Sequence, residues 1–260
     1  MSMRPATLVL GAALLGAPAA EAQSLADRVG AAGDGAVVFS FAARAEVCGD
    51  GDRTMRIGRS YAISNFYEDR RPCLHGPVQV RLTVRDGVVE RVESWVGAPR
   101  EREGRALGTV PAAEAADYLL TVARRSSGRP AGRAVLAAVL ADSAVVWPTL
   151  LSIVREPTSR REPARAEAAL WLSRFAGAAL GGHPTSLDTD EDEVEKDDVK
   201  LHVVFVLSQL SNREGIPVLL DVARSKADLA VRQHALFWLG QSGDPRAFTL
   251  FESLLRGPGD

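Results

Sequence analysis

Apolar and polar positions divide the chain into three stretches of different period. Residues 8–15 (Leu8-Val9-Leu10-Gly11-Ala12-Ala13-Leu14-Leu15) are continuously apolar. Between residues 36 and 100 the pattern is that of strands. Ala36-Val37-Val38-Phe39-Ser40-Phe41-Ala42 is β-branched and aromatic, and Val78, Val80, Leu82 and Val84 alternate with Gln79, Arg81 and Thr83. Val88, Glu90, Val92, Ser94 and Val96 form the next period-two set. A three-residue loop, Arg85-Asp86-Gly87, sets Val84 opposite Val88 and Val80 opposite Val92, with Gly87 left-handed. A two-residue Asp-Gly turn shifts the register by one and mixes the faces. The arginine-rich stretch between Cys48 and Cys73 has weak strand signals and reads as a long loop. Within it Cys48-Gly49-Asp50-Gly51-Asp52 reads as a Gly/Asp turn. It lacks the acidic spacing and distal glutamate of a calcium loop. From about residue 110 alanine and leucine recur at helical spacing.

The first apolar run follows a single charge, Arg4, and precedes Ala20-Glu21-Ala22, a small-x-small cleavage pattern that makes Gln23 the new N-terminus. This is the arrangement of a secretory signal peptide. The run is too short to span ~30 Å of hydrocarbon. Export to the periplasm or beyond changes the reading of Cys48 and Cys73, the two cysteines of the chain, which then pair as a disulfide. Cys73-Leu74-His75 has the wrong spacing for zinc, and no local signature marks a base for a nucleophilic thiol.

The helical part repeats. Val199-Lys200-Leu201-His202-Val203-Val204-Phe205-Val206-Leu207-Ser208-Gln209 aligns with Val231-Arg232-Gln233-His234-Ala235-Leu236-Phe237-Trp238-Leu239-Gly240-Gln241. A basic residue stands seven before a leucine in four places: Arg133/Leu140, Arg165/Leu172, Lys200/Leu207 and Arg232/Leu239. Second helices follow at Trp147–Val154, Asn212–Leu220 and Asp244–Phe251. Asn212 and Asp244 are N-caps, and Pro245 stands at the first helical position. The second unit has only a shortened second helix, Phe175–Leu180, broken by Gly181, Gly182 and Pro184. A further helix near 111–125 joins the two parts.

Val231-Arg232, Ala235 and Leu239-Gly240, followed by Gly243-Asp244-Pro245-Arg246-Ala247, resemble HEAT or HEAT-like, armadillo-related repeats over about residues 130–257. The resemblance implies stacked helix pairs, because one pair cannot bury its apolar face alone. The expected fold class is α+β. It comprises a signal peptide (1–22), a small β-rich, disulfide-bonded N-terminal domain (23–100) and a C-terminal α-solenoid of HEAT-like helix pairs (110–258).

Composition adds limits. The chain has 260 residues, 46% of them hydrophobic, and a formal net charge of −2. That suits one or two globular domains and gives no reason to expect nucleic-acid binding. No later stretch spans a membrane. The acidic run 188–198, eight acids against one lysine, reads as a solvated loop between repeats. Arg124, Arg125, Arg129, Arg160 and Arg161 lie earlier in the helical part, so the field along it is expected to be dipolar. His202 and His234 are equivalent by repetition alone, and no metal or cofactor is expected. Trp171 and Trp238 each precede the repeat leucine and read as packing residues.

The expected function is that of an exported, non-catalytic protein-interaction module or scaffold with a protein partner. Its candidate contacts are exposed positions of the second helices, Arg155, Asp221, Arg224, Arg246, Glu252 and Arg256, opposite an apolar face that includes Ile216, Leu219, Leu220, Leu250, Phe251 and Leu254. The rival is an enzyme, since some HEAT-like repeat proteins are lyases that attach pigments. A third reading is an envelope structural protein without one dedicated partner. No nucleophile elbow, phosphate loop or zinc motif is present.

Overall fold

The computed structural model describes residues 23–52, 54–57, 61–63, 73–98, 100–156, 162–180, 201, 204–205, 207–208 and 214–256. The leader 1–22, the acidic run 188–198, His202, Asn212, Arg160 and Arg161 lie outside them. A short helix, α1 (Leu25–Ala32), opens the described part, capped by the Ser24 hydroxyl accepting from the Asp27 amide. Eight residues with two buried apolar positions, Leu25 and Val29, are too few for a helical period to stand out.

β1 (Gly35–Phe41) is an inner strand of a four-stranded sheet with β5 (Val78–Arg85), β6 (Val88–Val96) and β7 (Arg105–Thr109), in the order β6-β5-β1-β7. β1–β5 and β5–β6 are antiparallel, and β1–β7 is parallel. Val37, Phe39 and Phe41 of β1 and Val78, Val80, Leu82 and Val84 of β5 are buried, as their alternation requires. The β5–β6 turn differs from expectation. Arg85 pairs with Val88 across two residues, Asp86 and Gly87, both left-handed (φ 52° and 72°), which suits a primed hairpin turn. A bulge compensates: Thr83 pairs with Arg91 but Val84 with Val89. Glu90 is the extra residue, and it absorbs the one-residue slip. Val92 therefore faces Leu82 rather than Val80, and Val88 is exposed.

The segment after Cys48 is not all loop. β2 (Val47–Gly49), β3 (Met55–Ile57) and β4 (Tyr61–Ile63) form a small antiparallel sheet. Three-residue strands carry too few alternations to be seen in sequence. The Cys48–Cys73 disulfide forms, and beside it Gly49 and Leu74 exchange both backbone hydrogen bonds (2.9 and 2.8 Å).

The helices are α2 (Ala112–Arg125), α3 (Arg129–Val139), α4 (Trp147–Arg155), α5 (Glu162–Ala179), α6 (Ile216–Arg224), α7 (Leu229–Ser242) and α8 (Pro245–Arg256). Leu201, Val204, Phe205, Leu207 and Ser208 are also helical. α5 runs unbroken to Ala179, so Phe175–Ala179 continues the first helix of its unit instead of forming a second. Its alanines favour continuation, and the Gln233 amide of α7 donates to the buried Gly177 carbonyl there (3.1 Å). Asp244 caps α8 by accepting from the Arg246 amide (2.9 Å), with Pro245 at the first helical position.

α5 packs against α3, α4 and α7, while α6 lies against α7. α8 lies beside α4 and α5. Spatial order therefore departs from chain order. A β-carbon on Gly240 of α7 would lie 2.8 Å from the Ser173 Cβ and 3.0 Å from the Ala169 carbonyl oxygen of α5. α3 also packs on β6, and one continuous buried core runs from the sheet into the helices.

Candidate functional site

The six charged residues expected on the second helices separate into three groups. Arg155 at the end of α4 and Arg256 at the end of α8 both bind Glu252, at 2.6 and 2.5 Å. The Glu252 carboxyl is held below its ordinary range, first by the hydrogen bond from Arg155. The Arg155–Glu252 pair fastens α4 to α8, and Arg256 braces Glu252 within α8. Arg246 makes a two-pronged pair with the buried Asp244 (3.0 and 3.1 Å), which raises the pKa of its guanidinium. Asp221 and Arg224 of α6 are exposed and have no ion pair or side-chain hydrogen bond among the described residues. Ile216, Leu219 and Leu220 fill the opposite face of α6, and Leu250 and Phe251 that of α8, with Leu254 half-buried.

Two first helices repeat one side-chain device. In α5 the Trp171 indole N–H donates to Glu167 (2.9 Å), one turn earlier. In α7 the Trp238 indole N–H donates to His234 (3.0 Å), at the equivalent positions. Burial pushes the Glu167 carboxyl up and the His234 imidazole down. Trp171 is buried, whereas Trp238 is half-buried among His234, Phe237 and Phe205. His234 thus serves as an acceptor for its own helix. Among the described residues no three His, Cys, Asp or Glu side chains gather as metal ligands, and no helix is long and apolar enough to cross a membrane.

A cleft of about 590 Å³ lies between β6, the β2–β3 turn and the start of α3. Arg91, Val92, Ser94 and Trp95 of β6 and Arg129 and Arg133 of α3 line it. Sequence reading singled out none of these as a site. Arg129 and Arg133, one helical turn apart, were the available signal, but α3 had to be placed against β6 to give it meaning.

The family model for HEAT repeats matches residues 186–260, the span that contains α6, α7 and α8. No curated protein and no solved structure matches the chain. The similarity to HEAT repeats is thus confined to the C-terminal part of the chain, residues 186–260.

Proposed function

We propose that this protein is an exported, non-catalytic protein-interaction module or scaffold. Its residues 110–258 form a short HEAT-like α-solenoid whose units do not all stack in chain order, and a partner protein is held on the exposed side of α6. HEAT repeats typically mediate protein interactions through such helix surfaces. The observation that carries the reading is the exposed pair Asp221 and Arg224, unengaged among the described residues, on a helix whose other face is buried. Arg155 and Glu252 join α4 to α8, while Arg256 and Arg246 are engaged within α8 and at its cap. Export rests on the leader pattern ending at Ala22 and on the two cysteines.

The test is a capture experiment from envelope and secreted fractions, using protein beginning at Gln23 and its Asp221→Ala/Arg224→Ala variant. A protein retained by the first bait and lost by the second supports the α6 surface. Equal retention by both places binding elsewhere. The N-terminus of the chain recovered after expression in its own host tests export separately, with Gln23 as the expected first residue.

A further inference from the structure

We infer that the cleft beside β6 binds an extended acidic peptide segment of a partner protein, which adds to the sheet as a further strand. This site lies outside the helical surface discussed above and does not depend on it.

β6 is one of the two edge strands of the four-stranded sheet. The Val96 carbonyl accepts from the Gly51 amide (2.8 Å), so it points away from β5. Antiparallel strands alternate, with successive residues turning their backbone groups to opposite sides. Ser94 and Val92, two and four residues earlier and in regular register with Val80 and Leu82, therefore also turn their N–H and C=O groups away from β5. Both residues line the cleft. Among the described residues neither has a backbone partner on that side. An unpaired edge is a template for another strand.

Charge selects the occupant. The cleft contains three acids, and each faces an arginine outside it: Glu93 with Arg81 (3.0 Å), Glu90 with Arg85 (3.7 Å) and Asp52 with Arg100 (3.9 Å). Its own three arginines are different. Arg91, Arg129 and Arg133 are exposed and make no ion pair among the described residues, and Arg133 feels only the more distant attraction of Glu167. The balance in the cleft is thus cationic beside open backbone donors and acceptors. A segment alternating acidic and apolar residues matches both features, with its carboxylates on the α3 side of the sheet toward Arg129 and Arg133.

The test uses the full chain from Gln23 and a labelled heptapeptide alternating valine with glutamate, followed by fluorescence anisotropy. Three further peptides carry lysine for glutamate, a fully N-methylated backbone, or glutamates in a flexible glycine background. The acidic valine peptide is expected to bind, and the other three to bind roughly tenfold or more weakly. Binding should slow hydrogen exchange at the Val92 and Ser94 amides. Arg129→Glu/Arg133→Glu changes only exposed positions, keeps the fold, and should weaken binding roughly tenfold or more. Ser94→Pro removes an edge N–H that β5 does not use and should also weaken binding. Equal binding of the methylated or glycine peptide, or unchanged exchange at Val92 and Ser94, overturns strand addition in favour of anion capture. Absence of binding, or indifference to the double arginine reversal, overturns the site.

Discussion

Arg155 donates to the Glu252 carboxylate at 2.6 Å across 97 residues of sequence, and this contact joins the ends of α4 and α8. Glu252 has a folded pKa below its ordinary value of 4.5. A depressed acid stabilises the fold above its unfolded pKa, and that contribution disappears as pH falls through the folded value. The thermal midpoint is therefore expected to decline on acidification below about pH 4.5, partly through this residue. Glu252→Gln should lower the midpoint slightly at neutral pH and flatten the acid decline. Thermal melts of both proteins between neutral and acidic pH check this; parallel curves would refute it.

Glu167 carries the opposite sign. Its pKa is raised, with burial outweighing the Trp171 hydrogen bond and the attraction of Arg133 and Arg174. A raised acid penalises the folded state as pH climbs through the interval from the unfolded to the folded value. Glu167→Gln keeps an oxygen for the Trp171 indole while removing the charge. It should leave stability at neutral pH unchanged or raise it by up to about 1 kcal/mol. Glu167→Leu strands the buried indole N–H and should cost about 1–3 kcal/mol. Urea titrations separate the two. If the glutamine variant is as damaged as the leucine one, the carboxylate charge is what matters at this position.

Gly240 sets the approach of α7 to α5. Alanine is the better helix former by about 0.5–1 kcal/mol. Here its β-carbon meets the Ala169 carbonyl oxygen at 3.0 Å and the Ser173 Cβ at 2.8 Å, so the backbones must separate. Gly240→Ala is expected to destabilise by about 1–3 kcal/mol. A smaller companion change, Ser173→Gly, relieves the closer contact and should recover part of the loss. A stabilised Gly240→Ala protein would mean that the α5–α7 packing is looser than this.

These contacts mark where sequence reading stops. β1, β5 and β6 were legible because Val37, Phe39, Val80 and Leu82 alternate over enough residues to show a period. The helices were legible for the same reason, and the Asp244 cap because its chemistry is local. α1, β3 and β4 are too short for periodicity, and β7 exposes or half-exposes every residue from Arg105 to Thr109. The β5–β6 turn was misread because the bulge at Glu90 hides the slip that argued against an Asp-Gly turn. Exposed charges on α4, α6 and α8 could be chosen from helical spacing. That Arg155 reaches Glu252 could not, because it depends on α8 lying beside α4. The edge of β6 needed the sheet order, which no local pattern encodes.

Arg44 joins the two parts of the chain, and its role is separable from that of a simple positive charge. Its Nε donates to the Val139 carbonyl (2.8 Å) and one terminal nitrogen to the Ala144 carbonyl (3.0 Å), satisfying groups at and beyond the end of α3. The guanidinium also stands 5.4 Å from the centre of the Phe175 ring of α5, and the Arg44 amide donates to the Leu140 carbonyl (2.9 Å) beside the Ala43–Ala141 bridge. One residue following β1 thus holds the ends of two helices against the sheet. The planar fork reaches two carbonyls in fixed directions while presenting a face to the ring, which a lysine ammonium cannot do. Arg44→Ala should cost about 2–4 kcal/mol, from two hydrogen bonds with a charged donor and one cation–π contact, discounted for partial exposure. Arg44→Lys should recover less than about half of that, since charge alone is restored. Denaturant unfolding of the three proteins, followed by both tryptophan fluorescence and hydrogen exchange in α3, reads the effect. Full rescue by lysine would reduce Arg44 to a nonspecific cation at a helix end.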